Sequence, residues 1–307
     1  MPTKNRAIFG ILLLVFFFFL ILLGFSIYTI NAFKDPDETG LNLLGGSEIA
    51  VVEVTGIIME SKNTVDKLKL ALDSKNVKAI ILRIDSPGGA VGPSQEIYEE
   101  VMRIDKDKDD GKPVYASLGT IAASGGYYLA SATRKIYSNA GTLTGSIGVI
   151  MQFVDISRLL EWAKISSNTL KAGKYKDIGQ PTRAITKEEK KLVEKLLEGV
   201  HKQFVKDVLV NRKDKIKGDI WALSQGQVFS GEEAKNAGLV DEIAGLYEAG
   251  RRIQKELGLK GEPNLKFIKK KKNISFLDFF ENLDENISNL KLGGFGKYLP
   301  MFLYSSN

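Results

Sequence analysis

The sequence predicts an α/β fold with a largely parallel sheet, preceded by a single N-terminal transmembrane helix. Three observations carry that expectation. Strand-like and helix-like stretches alternate from residue 48 to about residue 258. The second strand, AIILRID (79–85), is short and continuously apolar, as strands covered on both faces tend to be. Residues 7–30, AIFGILLLVFFFFLILLGFSIYTI, contain no charged side chain.

The apolar run comes first. Twenty-four helical residues span roughly 36 Å, enough to cross a hydrocarbon core of about 30 Å. Lys4 and Arg6 precede the run, and Asp35, Asp37 and Glu38 follow it with Lys34. This asymmetry predicts residues 1–6 in the cytoplasm, an anchor at 7–30, and everything after residue 31 on the far side of the cell membrane. A cleaved signal peptide has a shorter apolar core and a small-x-small cleavage site, and no clean A-x-A follows here. Residues 31–47 read as a linker rich in Gly, Asp and Asn.

Beyond the linker, EIAVVEVTGII (48–58) reads as a strand. Residues 63–74 read as a helix, 79–85 as a second strand, and 86–90 (SPGGA) as a break. A helix at 93–104, a strand at 113–118 and a helix candidate at 121–132 follow. Strands are expected at 134–140 and 145–155, and a short helix at 156–163. Thr186, with Glu188 and Glu189 behind it, starts a long helix to residue 212. Helices at 231–237 and 245–257 complete a domain of residues 48–258. Residues 259–307 form a tail with Lys269–Lys272 and an aromatic, mildly amphipathic end; it suits a lipid or subunit contact as well as packing on its own core.

Composition narrows the chemistry. The chain has no cysteine, which removes disulfides, thiolate catalysis and cysteine-held metals. It has one histidine, His201, so a Ser-His-Asp triad has one candidate and a histidine-rich metal site has none. No cofactor or metal is expected. The net charge of +6 is mild and no basic stripe with interleaved aromatics appears, so nucleic acid is not an expected partner.

Two glycine turns carry the chemistry. In AASGGYY (122–128) a strand runs into small residues and a helix opens near Ser124. A hydroxyl and successive backbone N–H groups then meet at a positive helix end, the arrangement an acyl-transfer oxyanion needs. Gly125 lacks the Cβ that would keep its N–H away. The same residues also suit an ordinary glycine-rich turn or a phosphate cradle. In DSPGG (85–89), Gly88 and Gly89 offer further N–H groups, and Asp85 reads as turn-forming. Turns that end neighbouring strands face one edge of the sheet, where α/β sites form. A nucleophilic serine also needs a base. His201 sits in a long charged helix (KKLVEKLLEGVHKQFVKDVL) and reads as a surface or packing residue. Lysine remains, since burial lowers a lysine's pKa and serine–lysine pairs are a known variant of the triad.

In order along the chain, SPGG (86–89), ASGGYYLAS (123–131), LTGSIGVI (143–150) and AGKYKDIGQPTR (172–183) resemble the signal peptide peptidase A family. The resemblance covers roughly residues 48–258. It implies a serine protease of the Clp/crotonase-like fold of repeated ββα units. It implies Ser124 as nucleophile, Lys176 as general base with Lys174 as the nearby competitor, and Ser146 orienting the lysine amine. It further implies an oxyanion hole from the N–H groups of Gly125 and, within SPGG, Gly89. The implied substrates are signal peptides and other apolar membrane peptides, and the implied state is a homo-oligomer at the membrane. Three rivals remain: an acyl-CoA enzyme of the same fold, a non-catalytic scaffold, and a membrane-bound Clp-class protease cutting specific membrane proteins. The anchor argues against the first, and intact Ser124 and Lys176 argue against the second.

Overall fold

A computed structural model describes residues 13–26, 48–269 and 301–303. The chain divides into two compact units, Met1–Gly46 and Ser47–Asn307. In the first, residues 13–26 form helix α1, with every side chain exposed. No helix among the described residues is long and apolar enough to cross a membrane. Helix α1 covers the middle of the apolar run; residues 7–12 and 27–30 of the expected anchor lie outside the described residues, as do the linker and most of the tail.

The second unit is a mixed α/β layer structure. Its elements in chain order are β1 (Glu48–Thr55), α2 (Lys62–Asp73), β2 (Val77–Ser86), β3 (Gly88–Ala90), α3 (Val91–Lys106), β4 (Val114–Ala123) and α4 (Gly125–Ser131). Then follow β5 (Lys135–Ser138), β6 (Leu143–Gly145), α5 (Ser157–Trp162), α6 (Lys187–Arg212), α7 (Ile220–Leu223) and β7 (Val228–Ser230). Elements α8 (Gly231–Asn236), β8 (Glu242–Ile243), α9 (Leu246–Glu256), β9 (Asn264–Phe267) and β10 (Met301–Leu303) come last. The main sheet has the order β7-β6-β4-β2-β1-β9, with β5 and β8 branching from β4. Its pairs are parallel except β6 with β7.

The continuous apolar strands are explained by two cores, one on each face. Ala50, Val52, Val54, Ile80, Leu82 and Ile84 face the larger core, which includes Tyr128 of α4 and Phe204 of α6. Ile49, Val51, Ala79 and Ile81 face the smaller one, closed by Ala249 and Ile253 of α9. Each buried Val, Ile or Leu contributes on the order of 1.5–3 kcal/mol, so β1 and β2 anchor everything attached to their ends. Helix α4 is held from two sides. The Tyr128 ring lies 4.7 Å from Tyr98 of α3 and 4.9 Å from Phe204, and its hydroxyl donates to Asp207 at 2.5 Å.

The structure departs from the sequence reading at several places, and α7, β7 and β8 stand where no element was expected. Strand β4 runs on to Ala123, because Ile121–Ala123 pair with β6 and Ala122 pairs with Ser86, so the helix opens at Gly125 and not at 121. Strand β6 stops at Gly145, since Gly145 and Ser146 both take positive φ (78° and 49°), and residues 146–156 are irregular where a strand was expected. Residues 88–90 form a strand where a break was expected. Gly89 bridges Ile58 in parallel, and β10 pairs antiparallel with β3, Phe302 opposite Gly89. The sheet also continues past residue 258, since β9 pairs with β1.

Candidate active site

Ser124 stands at the junction where β4 ends and α4 begins. Its backbone angles are φ 53° and ψ −116°, a conformation that a side-chain-bearing residue adopts at a cost of about 1–3 kcal/mol. The junction is held in place from both sides: Ser124 N donates to Gly145 O at 2.8 Å, and Ser124 O accepts Tyr128 N at 2.8 Å. The residue is 1% exposed, and its Oγ has no hydrogen-bond partner among the described residues. A sharp strand-to-helix turn of this kind aims a serine hydroxyl away from its own backbone.

The neighbouring glycines lie in contact. A Cβ on Gly125 would stand 3.1 Å from Gly89 N and 2.9 Å from Ser94 Oγ; a Cβ on Gly89 would stand 2.0 Å from Ile58 O. Only glycine fits at position 89, and at position 125 a side chain would have to push Ser94 and the Gly89 backbone aside. Gly125 opens α4, so its N–H has no acceptor within the helix. Gly88 N, in contrast, donates to Ser86 Oγ at 3.1 Å. Ala123 pairs with Gly145, which sets Ser146 beside Ser124 on the adjacent strand end. Asp85 is not the turn-former of the SPGG corner. Its Oδ1 accepts Ile121 N at 3.2 Å and so ties β2 to β4.

The two candidate lysines lie in the segment between β6 and α6. Lys174 donates to both oxygens of Glu188, at 2.7 and 2.6 Å, and Tyr175 donates to the same carboxylate. The Glu188 bond, helped by Tyr175, raises the Lys174 pKa above the usual lysine value, so Lys174 is held protonated. Lys176 is exposed, and among the described residues no hydrogen bond joins it to Ser124 or Ser146. The single chain therefore brings Ser124, Gly125, Gly89 and Ser146 together and leaves Lys176 facing solvent.

Residues 106–260 match the model of peptidase family S49. A Synechocystis sp. protein named as a protease is 38% identical over 200 residues, covering 64% of this chain and 69% of its own length. A Methanocaldococcus jannaschii protein, also named as a protease, is 32% identical over 267 residues, covering 81% of this chain and 82% of its own. The chloroplastic serine protease SPPA of Arabidopsis thaliana is 32% identical over 233 residues, 74% of this chain but 33% of that protein. The chain belongs to peptidase family S49. It is a serine peptidase, and other relatives carry the signal peptide peptidase and protease 4 names.

Within this S49 peptidase, His201 has a packing position. Its ring meets Trp221 edge to face, 5.9 Å between centroids, and its Nε2 is buried without a hydrogen-bond partner among the described residues. It lines a cleft of about 590 Å³ together with Ser146, Val149, Leu197 and Ser224, and no hydrogen bond links it to Ser124. Sequence reasoning passed over Arg183. It lies inside the AGKYKDIGQPTR motif, but its partners Asp177 and Glu189 stand six residues to either side, a spacing no local rule singles out.

Proposed function

We propose that this S49 serine peptidase is a membrane-anchored endopeptidase that degrades remnant signal peptides with a Ser124–Lys176 dyad, on a Clp/crotonase-like scaffold. The observation that carries the reading is the Ser124 hydroxyl: buried, strained into place at a strand–helix junction, and without a hydrogen-bond partner among the described residues. Neutral Lys176 accepts the Ser124 proton as Oγ attacks the scissile carbonyl. The oxyanion is held by the N–H groups of Gly125 and Gly89. The C–N bond then breaks, the lysine ammonium returns its proton to the leaving amine, and water hydrolyses the acyl-enzyme by the same route. Ser146 orients the lysine amine. Lys174 is the weaker candidate because Glu188 already holds its proton.

Strand β3 suits an extended peptide. Its edge opposite Ile58 pairs antiparallel with β10, Phe302 opposite Gly89 beside the serine, which is the backbone pairing an extended substrate would use there. Residues 7–30 anchor the chain with its N-terminus in the cytoplasm and the catalytic unit on the extracytoplasmic side, which places the site near apolar peptides left in the bilayer. A homo-oligomer accounts for the lysine segment, where Trp162 is 81% and Leu170 100% exposed. A second copy covers these side chains and supplies the burial a lysine base requires.

The test is the full chain in liposomes with a signal-peptide-like substrate, wild type beside Ser124→Ala. Hydrolysis is expected to fall by about 10⁴-fold or more with the melting temperature unchanged or raised. Hydrolysis retained by the Ser124→Ala protein would sink the assignment.

A further inference from the structure

We propose that Arg183 is a positioning residue for the reaction: with Asp177 and Glu189 it clasps the Lys176 loop onto the first turn of α6. The inference rests on Lys176 as the base.

The clasp is dense, with a partly exposed guanidinium between two buried carboxylates. Arg183 Nε donates to Asp177 Oδ2 at 2.8 Å, and Nη2 donates to Asp177 O at 3.2 Å. The other side of the guanidinium donates to Glu189, Nη2 to Oε1 at 2.5 Å and Nη1 to Oε2 at 2.9 Å. Asp177 and Glu189 are only 5% and 4% exposed. Glu189 is itself part of the cap of α6: its Oε2 accepts Thr186 N at 2.9 Å, and Thr186 Oγ1 accepts Glu189 N at 3.2 Å. One planar fork therefore welds the residue next to Lys176 to the rigid end of a long helix, a geometry lysine cannot reproduce fully. On the other flank, Pro181 O accepts Ile156 N at 2.8 Å. Between these pins the backbone turns tightly, with Lys176 N donating to Gly173 O and Gln180 N to Asp177 O, both at 3.2 Å.

The pairing pattern matters as much as the rigidity. Asp177 adjoins Lys176 in sequence, yet its carboxylate is taken by Arg183 and by Lys171. Glu188, the next carboxylate, is taken by Lys174 and Tyr175. Across the loop, Asp155 and Arg158 stand at the start of α5, where Asp155 accepts Ser157 N. A carboxylate paired with a lysine base would favour its charged, useless form. The clasp fixes the lysine's backbone and at the same time keeps the adjacent negative charge occupied.

The experiment measures kcat and KM from pH 6 to pH 10 for the full chain in detergent micelles, with a fluorogenic signal-peptide-like substrate. The variants are Arg183→Ala, Arg183→Lys, Asp177→Asn and Lys176→Ala, each also followed by thermal melting. Arg183→Ala is expected to lower kcat about tenfold at pH 8 with KM changed less than about twofold. It also moves the acid limb of the profile up by roughly half a pH unit, since Asp177 is left uncompensated. Asp177→Asn moves that limb down, and Arg183→Lys recovers part of kcat. If the melting temperature falls while kcat and the limb stay at wild-type values, Arg183 is structural only and the proposal is overturned. A dead Lys176→Ala protein beside such unshifted clasp variants would overturn the clasp alone. An active Lys176→Ala protein would overturn the base reading, and the clasp with it.

Discussion

The region that holds Ser124 and the region that holds Lys176 are built by different forces. Ser124 follows a strand, β4, whose neighbour β2 is packed between the two cores, and it begins a helix that is buried along its whole length. Residues 146–186 contain one six-residue helix and no strand, and many of their side chains are exposed. What orders the lysine loop is charge: Arg183 between two carboxylates, Lys171 on Asp177, Lys174 on Glu188. Hydrophobic packing fixes a nucleophile to the precision catalysis needs and is insensitive to pH. Ion pairs can hold a loop in position while leaving one side chain free, but they answer to pH and salt.

Breaking the two regions separately should show this difference. After the loss at Ser124 itself, the largest effect is expected at the lysines. Lys176→Ala should lose about 10³-fold or more in kcat, while Lys174→Ala and His201→Ala each lose less than about threefold; peptide hydrolysis assays decide, and a reversed order would reassign the base. Next comes the packed side of the site. Gly125→Ala places a methyl 3.1 Å from Gly89 N and should cost about 10²-fold in kcat through a displaced oxyanion donor, with the lysine loop unaffected.

The acid response comes third. Arg183 holds Asp177 well below the usual carboxylate range and holds Glu189 at about 2. The folded loop therefore binds fewer protons than the unfolded one, so its stability is complete above the ordinary carboxylate value and is lost as pH falls from about 4 towards 2. Trp162 fluorescence, which reports on this region, should change in that window before far-UV circular dichroism reports loss of the core; simultaneous transitions would contradict a separately held loop. The smallest effect on stability is expected from Trp162→Ser and Leu170→Ser, within about 0.5 kcal/mol by thermal melting. Light scattering should nonetheless show a smaller assembly than wild type if these side chains meet a second copy.

Parts of this design were legible in the residues. The buried strands announced themselves as β-branched runs, and Thr186 with Glu189 reads as a helix start, confirmed by a reciprocal capping box. Ser124 stood out as a serine among glycines between a strand and a helix, a pattern that also suits an ordinary turn or a phosphate cradle until the family motifs around it are read together. The end of β4 was misplaced because Ile121–Ala123 are as acceptable in a helix as in a strand; pairing with β6 and β2 decided for the strand. Gly88–Ala90 looked like a break because glycine is a poor strand former, and only Ile58 on one side and β10 on the other make it a strand.

By itself, then, the sequence determined the class of the fold, a serine set in a glycine turn, the glycines that can stand beside it, and the absence of cysteine and scarcity of histidine that direct the proposed base to a lysine. Those follow from residue identity and short-range periodicity, which are local properties. Tertiary structure alone decided that Ser124 is buried and strained, with no hydrogen-bond partner for its Oγ among the described residues, that Lys174 is spent on Glu188, and that Asp177 is held by Arg183 rather than by its neighbour Lys176. Which carboxylate a cation meets depends on how the chain folds back on itself, and no spacing rule along the sequence carries that information.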